Sequence, residues 1–173
     1  MKNIEDLGKK FKNKESIMMV LDYDGTVASV EPKINSPFSN PSTFKRVLEN
    51  FACKDYINIA IITGREVSDF RSEFAISSKV IDVYGYSDNE FYNENGASFA
   101  EKECILDEIF AQNPEYEVIY AGDDKALIAK AKKLNGSAIG IPPLCKTGEK
   151  LVDFSVSQNA FEEFLITANN LYL

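Results

Sequence analysis

The sequence has no histidine at any of its 173 positions. Without an imidazole there can be no Ser-His-Asp triad, no phosphohistidine chemistry and no His-based zinc site. Catalysis must then use carboxylates, hydroxyls, lysine, or a metal held by oxygen. Cysteine is scarce as well. Cys53, Cys104 and Cys145 are odd in number and far apart in apolar or mixed surroundings, which predicts buried thiols in a reducing cytosol rather than disulfides or metal ligands. Positive charge is in deficit, with 19 Lys and Arg against 27 Asp and Glu and a net charge of −8. Such a surface repels phosphate backbones, so general nucleic-acid binding is not expected. No apolar run approaches the length that spans a bilayer. Residues 1–16 are polar and Lys-rich without an apolar core, unlike a secretory signal, and a cytoplasmic location is expected. Repeats, low-complexity tracts and linkers are also missing, so residues 1–173 are expected to form one domain.

What is present is concentrated in residues 17–26. Ile17-Met18-Met19-Val20-Leu21 reads as a short strand buried on both faces. It runs directly into Asp22-Tyr23-Asp24-Gly25-Thr26. Ligands bind at the carboxyl ends of strands in a parallel α/β sheet, and Gly25 lets the backbone turn sharply there. Residues i and i+2 of an extended segment point the same way, so Asp22 and Asp24 can address one reaction centre. One can attack or hold a metal while the other handles the proton. A solvated Asp-Gly turn is the plain alternative. However, Asp-x-Asp-Gly-Thr fixes four identities, and at average usage it arises by chance in about one chain in several hundred.

The rest of the chain alternates strands and helices. Ile4, Leu7 and Phe11 mark a first amphipathic helix. A polar loop with Pro32, Pro37 and Pro41 leads to Ser42 as an N-cap, followed by the stripe Phe44, Val47, Leu48 and Phe51. Residues 57–62 form a second strand ending in Thr63-Gly64-Arg65, and a helix with Val67, Phe70 and Phe74 on one face follows. Residues 80–84 are a third apolar run. Residues 88–99 read as a turn or short hairpin, with Asn95-Gly96 the strongest turn signal. Lys102 opens a helix carrying Ile105, Leu106, Ile109 and Phe110. Residues 118–121 are a strand ending at Gly122-Asp123-Asp124, and the helix after it stops at Asn135-Gly136. Residues 138–141 give a further strand, residues 152–156 an edge strand, and Phe161, Phe164 and Leu165 a closing helix. This order implies an α/β fold, a Rossmann-like parallel sheet with helices on both faces. Three of its strands end in residues suited to phosphate or metal chemistry.

Together these residues resemble the haloacid dehalogenase-like superfamily of aspartate-nucleophile phosphohydrolases. Asp22-x-Asp24-Gly25-Thr26 looks like the first signature, Thr63 the second, Lys102 the third and Asp123-Asp124 the fourth. Within the superfamily the chain is most similar to the trehalose-6-phosphate phosphatase branch. Leu21 through Ala28, Ile62-Thr63-Gly64-Arg65, Asn95-Gly96-Ala97 and Tyr120-Ala121-Gly122-Asp123-Asp124 carry that likeness, as does Val152-Asp153-Phe154-Ser155-Val156.

The resemblance implies a Mg²⁺-dependent phosphatase acting on phosphate monoesters, with Asp22 forming an aspartyl-phosphate. Asp24 would protonate the leaving alcohol and then activate water, while its backbone carbonyl binds the metal. Asp22, Asp123 and Asp124 complete the expected metal set. Gly25, Thr26, Thr63, Gly64, Arg65 and Lys102 are the expected phosphate contacts, with Thr63 and Lys102 also catalytic. Lys125 stands in reserve, because Lys102-Glu103-Cys104 lacks the glycine common after the family's lysine. Lys125-Ala126-Leu127 also replaces the further acids of the trehalose phosphatase branch.

Only residues 98–101 separate Asn95-Gly96-Ala97 from Lys102, too few for the cap domain found there in that branch. A capless core is expected, open to a large phosphorylated substrate or covered by a second copy in a homo-oligomer. The competing functional class is an inactive phosphate- or metal-binding module with a regulatory or interaction role.

Overall fold

The computed structural model describes residues 4–23, 26, 41–73, 81–141 and 153–172. The elements run α1 (Glu5–Lys12), β1 (Ile17–Asp22), α2 (Pro41–Ala52), β2 (Ile57–Ile62), α3 (Val67–Glu73) and β3 (Asp82–Ser87). They continue with β4 (Glu90–Asn93), β5 (Ser98–Phe99), α4 (Lys102–Gln112), β6 (Glu117–Gly122), α5 (Lys125–Lys133), β7 (Ser137–Gly140), β8 (Phe154–Ser155) and α6 (Gln158–Tyr172).

The strand at the centre is β1. Its first five residues are buried, and it pairs in parallel with β2 on one side and β6 on the other. Period-two alternation divides its side chains. Ile17, Met19 and Leu21 enter a core shared with α1, α2, α3 and α6 through Leu7, Phe11, Leu48, Phe51, Phe70, Phe161 and Leu165. Met18 and Val20 enter a second core built against α4 and α5 by Ile105, Leu106, Ile109, Leu127 and Ile128. Helices therefore cover both faces, as the strand pattern implied. The sheet order is β5-β4-β3-β2-β1-β6-β7-β8. The chain moves outward from β1 through β2 and β3, then returns to the opposite side of β1 as β6. The carboxyl ends of β1 and β6 thus flank a topological switch point, where α/β sheets bind ligands.

The pairing is parallel from β3 across to β8, and antiparallel where β3, β4 and β5 meet. The hairpin expected over 88–99 is two successive turns. Asp88 and Asn89 close β3 to β4 with φ of 50° and 66°, the double positive-φ geometry of a two-residue hairpin loop. At the second turn Gly96 has φ 82°, and Asn93 Oδ1 accepts from the backbone N–H groups of Asn95 and Ala97 at 3.0 Å each. Only Ala100 and Glu101 then separate β5 from α4, so no domain is inserted at that point.

Two expectations are corrected. Helix α2 begins at Pro41, inside which Ser42 lies, because proline's fixed φ suits the first helical turn. Cys53 and Cys104 are exposed free thiols, not buried ones. Cys53 follows the last residue of α2, and Cys104 sits on α4 away from its buried stripe Ile105, Leu106 and Ile109. Helix α5 stops just before Asn135-Gly136, as expected, with a positive φ (63°) on Asn135. Gly136 is there for closeness, since a Cβ would stand 2.7 Å from the Phe110 ring and 2.8 Å from the Val118 carbonyl. Val80, Phe74 and Cys145 lie outside the described residues.

Candidate active site

Asp22 ends β1 on the face that carries Met18 and Val20, toward α4 and α5. Asp123 follows the last residue of β6, the neighbouring parallel strand, whose Ala121 pairs with Leu21. The two carboxylates meet across the switch-point crevice. Burial raises the Asp22 pKa most. Repulsion by Asp123 and a shared hydrogen bond with it raise it further, and Asp124 adds to the effect. The Lys102 ammonium opposes them, and the carboxyl is held at about 7.

Gly122 makes this proximity possible. A Cβ there would collide with the Tyr120 hydroxyl and stand 2.7 Å from Asp22 Cβ. Asp124 is committed to two partners. As N-cap of α5, its Oδ1 accepts from Ala126 N at 3.0 Å and Leu127 N at 3.2 Å. Its other oxygen accepts from Lys102 Nζ at 3.2 Å.

Lys102 is the first residue of α4. The short β5–α4 connection places it at the sheet's carboxyl edge, with Nζ 5.7 Å from the centroid of the Phe91 ring. Lys125 opens α5 with its side chain exposed. Lys102 is the lysine whose ammonium bonds Asp124 and acts on Asp22.

Thr63 is buried and continues the ladder beyond β2. Its N–H donates to Tyr84 O at 2.9 Å, and Tyr86 N donates to Arg65 O at 2.8 Å. Thr63 Oγ1 accepts from Arg65 N at 3.2 Å. The Thr63-Gly64-Arg65 turn lies so close to β3 that a Cβ at Gly85 would be 2.7 Å from Arg65 O and from Val67 N. Gly64, by contrast, has open space where a Cβ would go. The Arg65 guanidinium lies 5.4 Å from the centroid of the Tyr23 ring, a cation–π distance. Thr26 is buried, and its N–H donates to Tyr23 O at 3.4 Å. Asp24 and Gly25 lie outside the described residues.

Two buried hydroxyls at the site, Thr26 Oγ1 and Tyr120 OH, have no hydrogen-bond partner among the described residues. Tyr120 is one that sequence reasoning missed. It shares a face with Gly122 two residues on, and its hydroxyl is pushed well above the ordinary tyrosine range by burial, then by Asp22 and Asp124. The Asp124 backbone N–H acts in the opposite sense, from outside hydrogen-bond geometry. Gly85 was missed as well. An apolar strand broken by a lone glycine was its signal.

The donors fit a hard divalent cation. Two facing carboxylates, one of them kept protonated to about pH 7 by the other and by burial, are relieved by a cation between them. Among the described residues no three His, Cys, Asp or Glu side chains form a metal-holding group, and both Asp124 oxygens are engaged as above.

No protein-family model matches the chain, and no curated protein matches it by sequence. Solved structures do match. Trehalose-6-phosphate phosphatase of Aspergillus fumigatus superposes with TM-score 0.68 and 12% identity over 97% of this chain and 98% of that one. The C-terminal domain of the Candida albicans (C. albicans) enzyme gives 0.71 and 8% over 98% and 97%. The 3-deoxy-D-manno-octulosonate 8-phosphate phosphatase of Moraxella catarrhalis, solved with magnesium and phosphate ions, gives 0.55 and 19% over 98% and 95%. At such identities the likeness is one of fold, and the chain has the haloacid dehalogenase-like fold in a form similar to that of the trehalose-6-phosphate phosphatases.

Proposed function

We propose that the protein is a Mg²⁺-dependent phosphatase that hydrolyses phosphate monoesters of small molecules through an aspartyl-phosphate on Asp22. The observation that carries this reading is the meeting of Asp22, Asp123 and Lys102 at the β1–β6 switch point, beside the buried Thr63 turn. Asp22 and Asp123, with the Asp24 backbone carbonyl implied by the family resemblance, would hold the cation. When bound, Mg²⁺ neutralises phosphoryl charge and favours the ionised form of Asp22.

The chain's own groups supply the chemistry. An Asp22 Oδ attacks phosphorus, and the bond from phosphorus to the ester oxygen breaks. Asp24 gives its proton to the departing alkoxide, on the strength of the resemblance. Water then attacks the phosphorus of the Asp22 acyl phosphate and loses its proton to Asp24, freeing inorganic phosphate and Asp22. Lys102 stabilises charge on the transferring group. Asp124 positions Lys102 through its 3.2 Å ion pair and so acts at one remove. Thr63 and the N–H groups of its turn receive the phosphoryl oxygens, and Arg65 lies beside them on Tyr23. The whole of residues 1–173 acts as one core without an inserted cap.

Hydrolysis of an aryl phosphate with Mg²⁺ and with EDTA tests the reading. Turnover that needs the metal supports it. Folded, Mg²⁺-loaded protein that turns over no ester contradicts it and favours a binding module.

A further inference from the structure

An exposed aromatic ring stands beside this site, with a structural reason to be there. Among the described residues Tyr86 and Leu171 are the large hydrophobic side chains left exposed, Tyr86 at 36%. Leu171 lies near the end of α6. Tyr86 sits in the row of the reaction centre. Register aligns Asp22 with Ile62 and Ile62 with Tyr84, so Tyr86 lies two strands over and two residues beyond Asp22. That is about 10 Å across the sheet and about 7 Å along it.

It is also on the same face. Tyr84 and Phe91 belong to the core under α4 and α5, the face toward which Asp22 points. Tyr86 pairs directly with Phe91 across the hairpin, and their ring centroids are 4.8 Å apart. Phe91 in turn lies under the Lys102 ammonium, 5.7 Å from Nζ. Lys102, the buried Phe91 and the exposed Tyr86 thus form a continuous shelf from the charge that meets the phosphoryl group to a ring facing solvent, with Tyr86 as its accessible part. A phosphoryl group held by Lys102 projects its ester oxygen over this shelf or away from it. In the first direction the leaving group meets the exposed Tyr86 ring.

We infer that Tyr86, backed by the buried Phe91, is a specificity-determining residue that receives a ring-bearing leaving group, a pyranose or an aryl ring, on its exposed face. This rests on the phosphatase reading and adds to it the class of ester. Pyranose and aryl leaving groups share one chemistry, a ring face of low polarity (C–H bonds in the sugar, the π face in the aryl ring) that packs on an aromatic ring.

The test compares the wild type with Tyr86→Ala and Tyr86→Phe, all with Mg²⁺. The kcat/KM values are measured for glucose 6-phosphate, phenyl phosphate and the acyclic glycerol 3-phosphate. Binding of phenylphosphonate and methylphosphonate, which are not hydrolysed, is measured alongside. The wild type should prefer a ring-bearing ester over the acyclic one. Tyr86→Ala should cut that preference about two- to tenfold, the range of an aromatic contact, and Tyr86→Phe should restore it. The glucose and phenyl arms show which ring the shelf takes. The phenyl-to-methyl phosphonate affinity ratio should fall with Tyr86→Ala in the same way.

An unchanged ratio in both assays overturns the inference and leaves the phosphatase reading intact. If no ester is hydrolysed, the phosphatase reading falls and the phosphonate ratio alone decides the shelf. Loss of fold by Tyr86→Ala would show as a lowered melting temperature, and Tyr86→Phe then carries the comparison through Tyr86→Leu, which keeps bulk without the ring.

Discussion

Asp22 and Asp123 face one another from adjacent parallel strands, and burial, reinforced by this like charge, holds the Asp22 carboxyl at about 7. The folded protein without metal therefore keeps a proton on Asp22 that the unfolded chain releases near pH 3.8. A raised folded-state pKa of an acid costs stability as pH rises through that window. Metal-free protein should lose melting temperature between about pH 4 and pH 7 from this group, an effect that Asp22→Asn abolishes. Mg²⁺ should raise the melting temperature more at pH 7.5 than at pH 5, because at the lower pH it must displace the proton. Thermal scans across pH, with and without Mg²⁺, measure both effects.

Lys102 and Lys125 separate cleanly by position. Lys102→Met removes the ammonium beside Asp124 and Asp22 and should lower kcat about 10²- to 10³-fold, the usual cost of one transition-state charge partner. Lys125→Met, at an exposed position, should change kcat less than about threefold, since it makes no contact with the transferring group. Steady-state kinetics of the two variants check this.

Asp124 serves α5 and Lys102 at once. Asp124→Ala removes the N-cap bonds to Ala126 and Leu127 and should cost about 1 kcal/mol. Asp124→Asn keeps the cap and should stay within a few tenths of a kcal/mol of the wild type, yet it weakens the hold on Lys102 and should lower kcat as Asp124→Ala does. Urea titration together with kinetics resolves the two roles.

Gly122→Ala should destabilise the protein by about 1–3 kcal/mol, the range for overpacking. The new methyl meets the Tyr120 hydroxyl and Asp22 Cβ. Tyr120→Phe in the same chain should recover only part of the loss, because the Asp22 contact at 2.7 Å remains. A double-mutant cycle in urea gives the coupling.

The sequence was most readable where one physical cause acts. The run from Ile17 to Leu21 has no polar residue, and it forms a strand buried on both faces. Asp22, Asp123 and Lys102 each lie at or next to the end of an element whose period is plain. What stayed hidden depends on pairs distant in sequence. The Asp88-Asn89 turn reverses β3 onto β4 with two positive-φ residues and no glycine, so it carries a weaker local signal than Asn95-Gly96. Gly85 and Gly122 are fixed by what approaches them across the sheet. Cys53 and Cys104 looked buried because their neighbours are apolar, but helical rotation turns Cys104 outward beside a buried Ile105.

The central claim is that Asp22 itself carries the phosphoryl group. Rapid acid quench during turnover of a phosphate monoester with Mg²⁺, followed by mass spectrometry of the peptide spanning Asp22, tests it directly. The account predicts a phosphorylated Asp22 that builds up within the first turnover, disappears on further incubation, and is absent with EDTA and in Asp22→Asn. Metal-dependent turnover that persists in Asp22→Asn, or a phosphoryl group found on another residue, contradicts it.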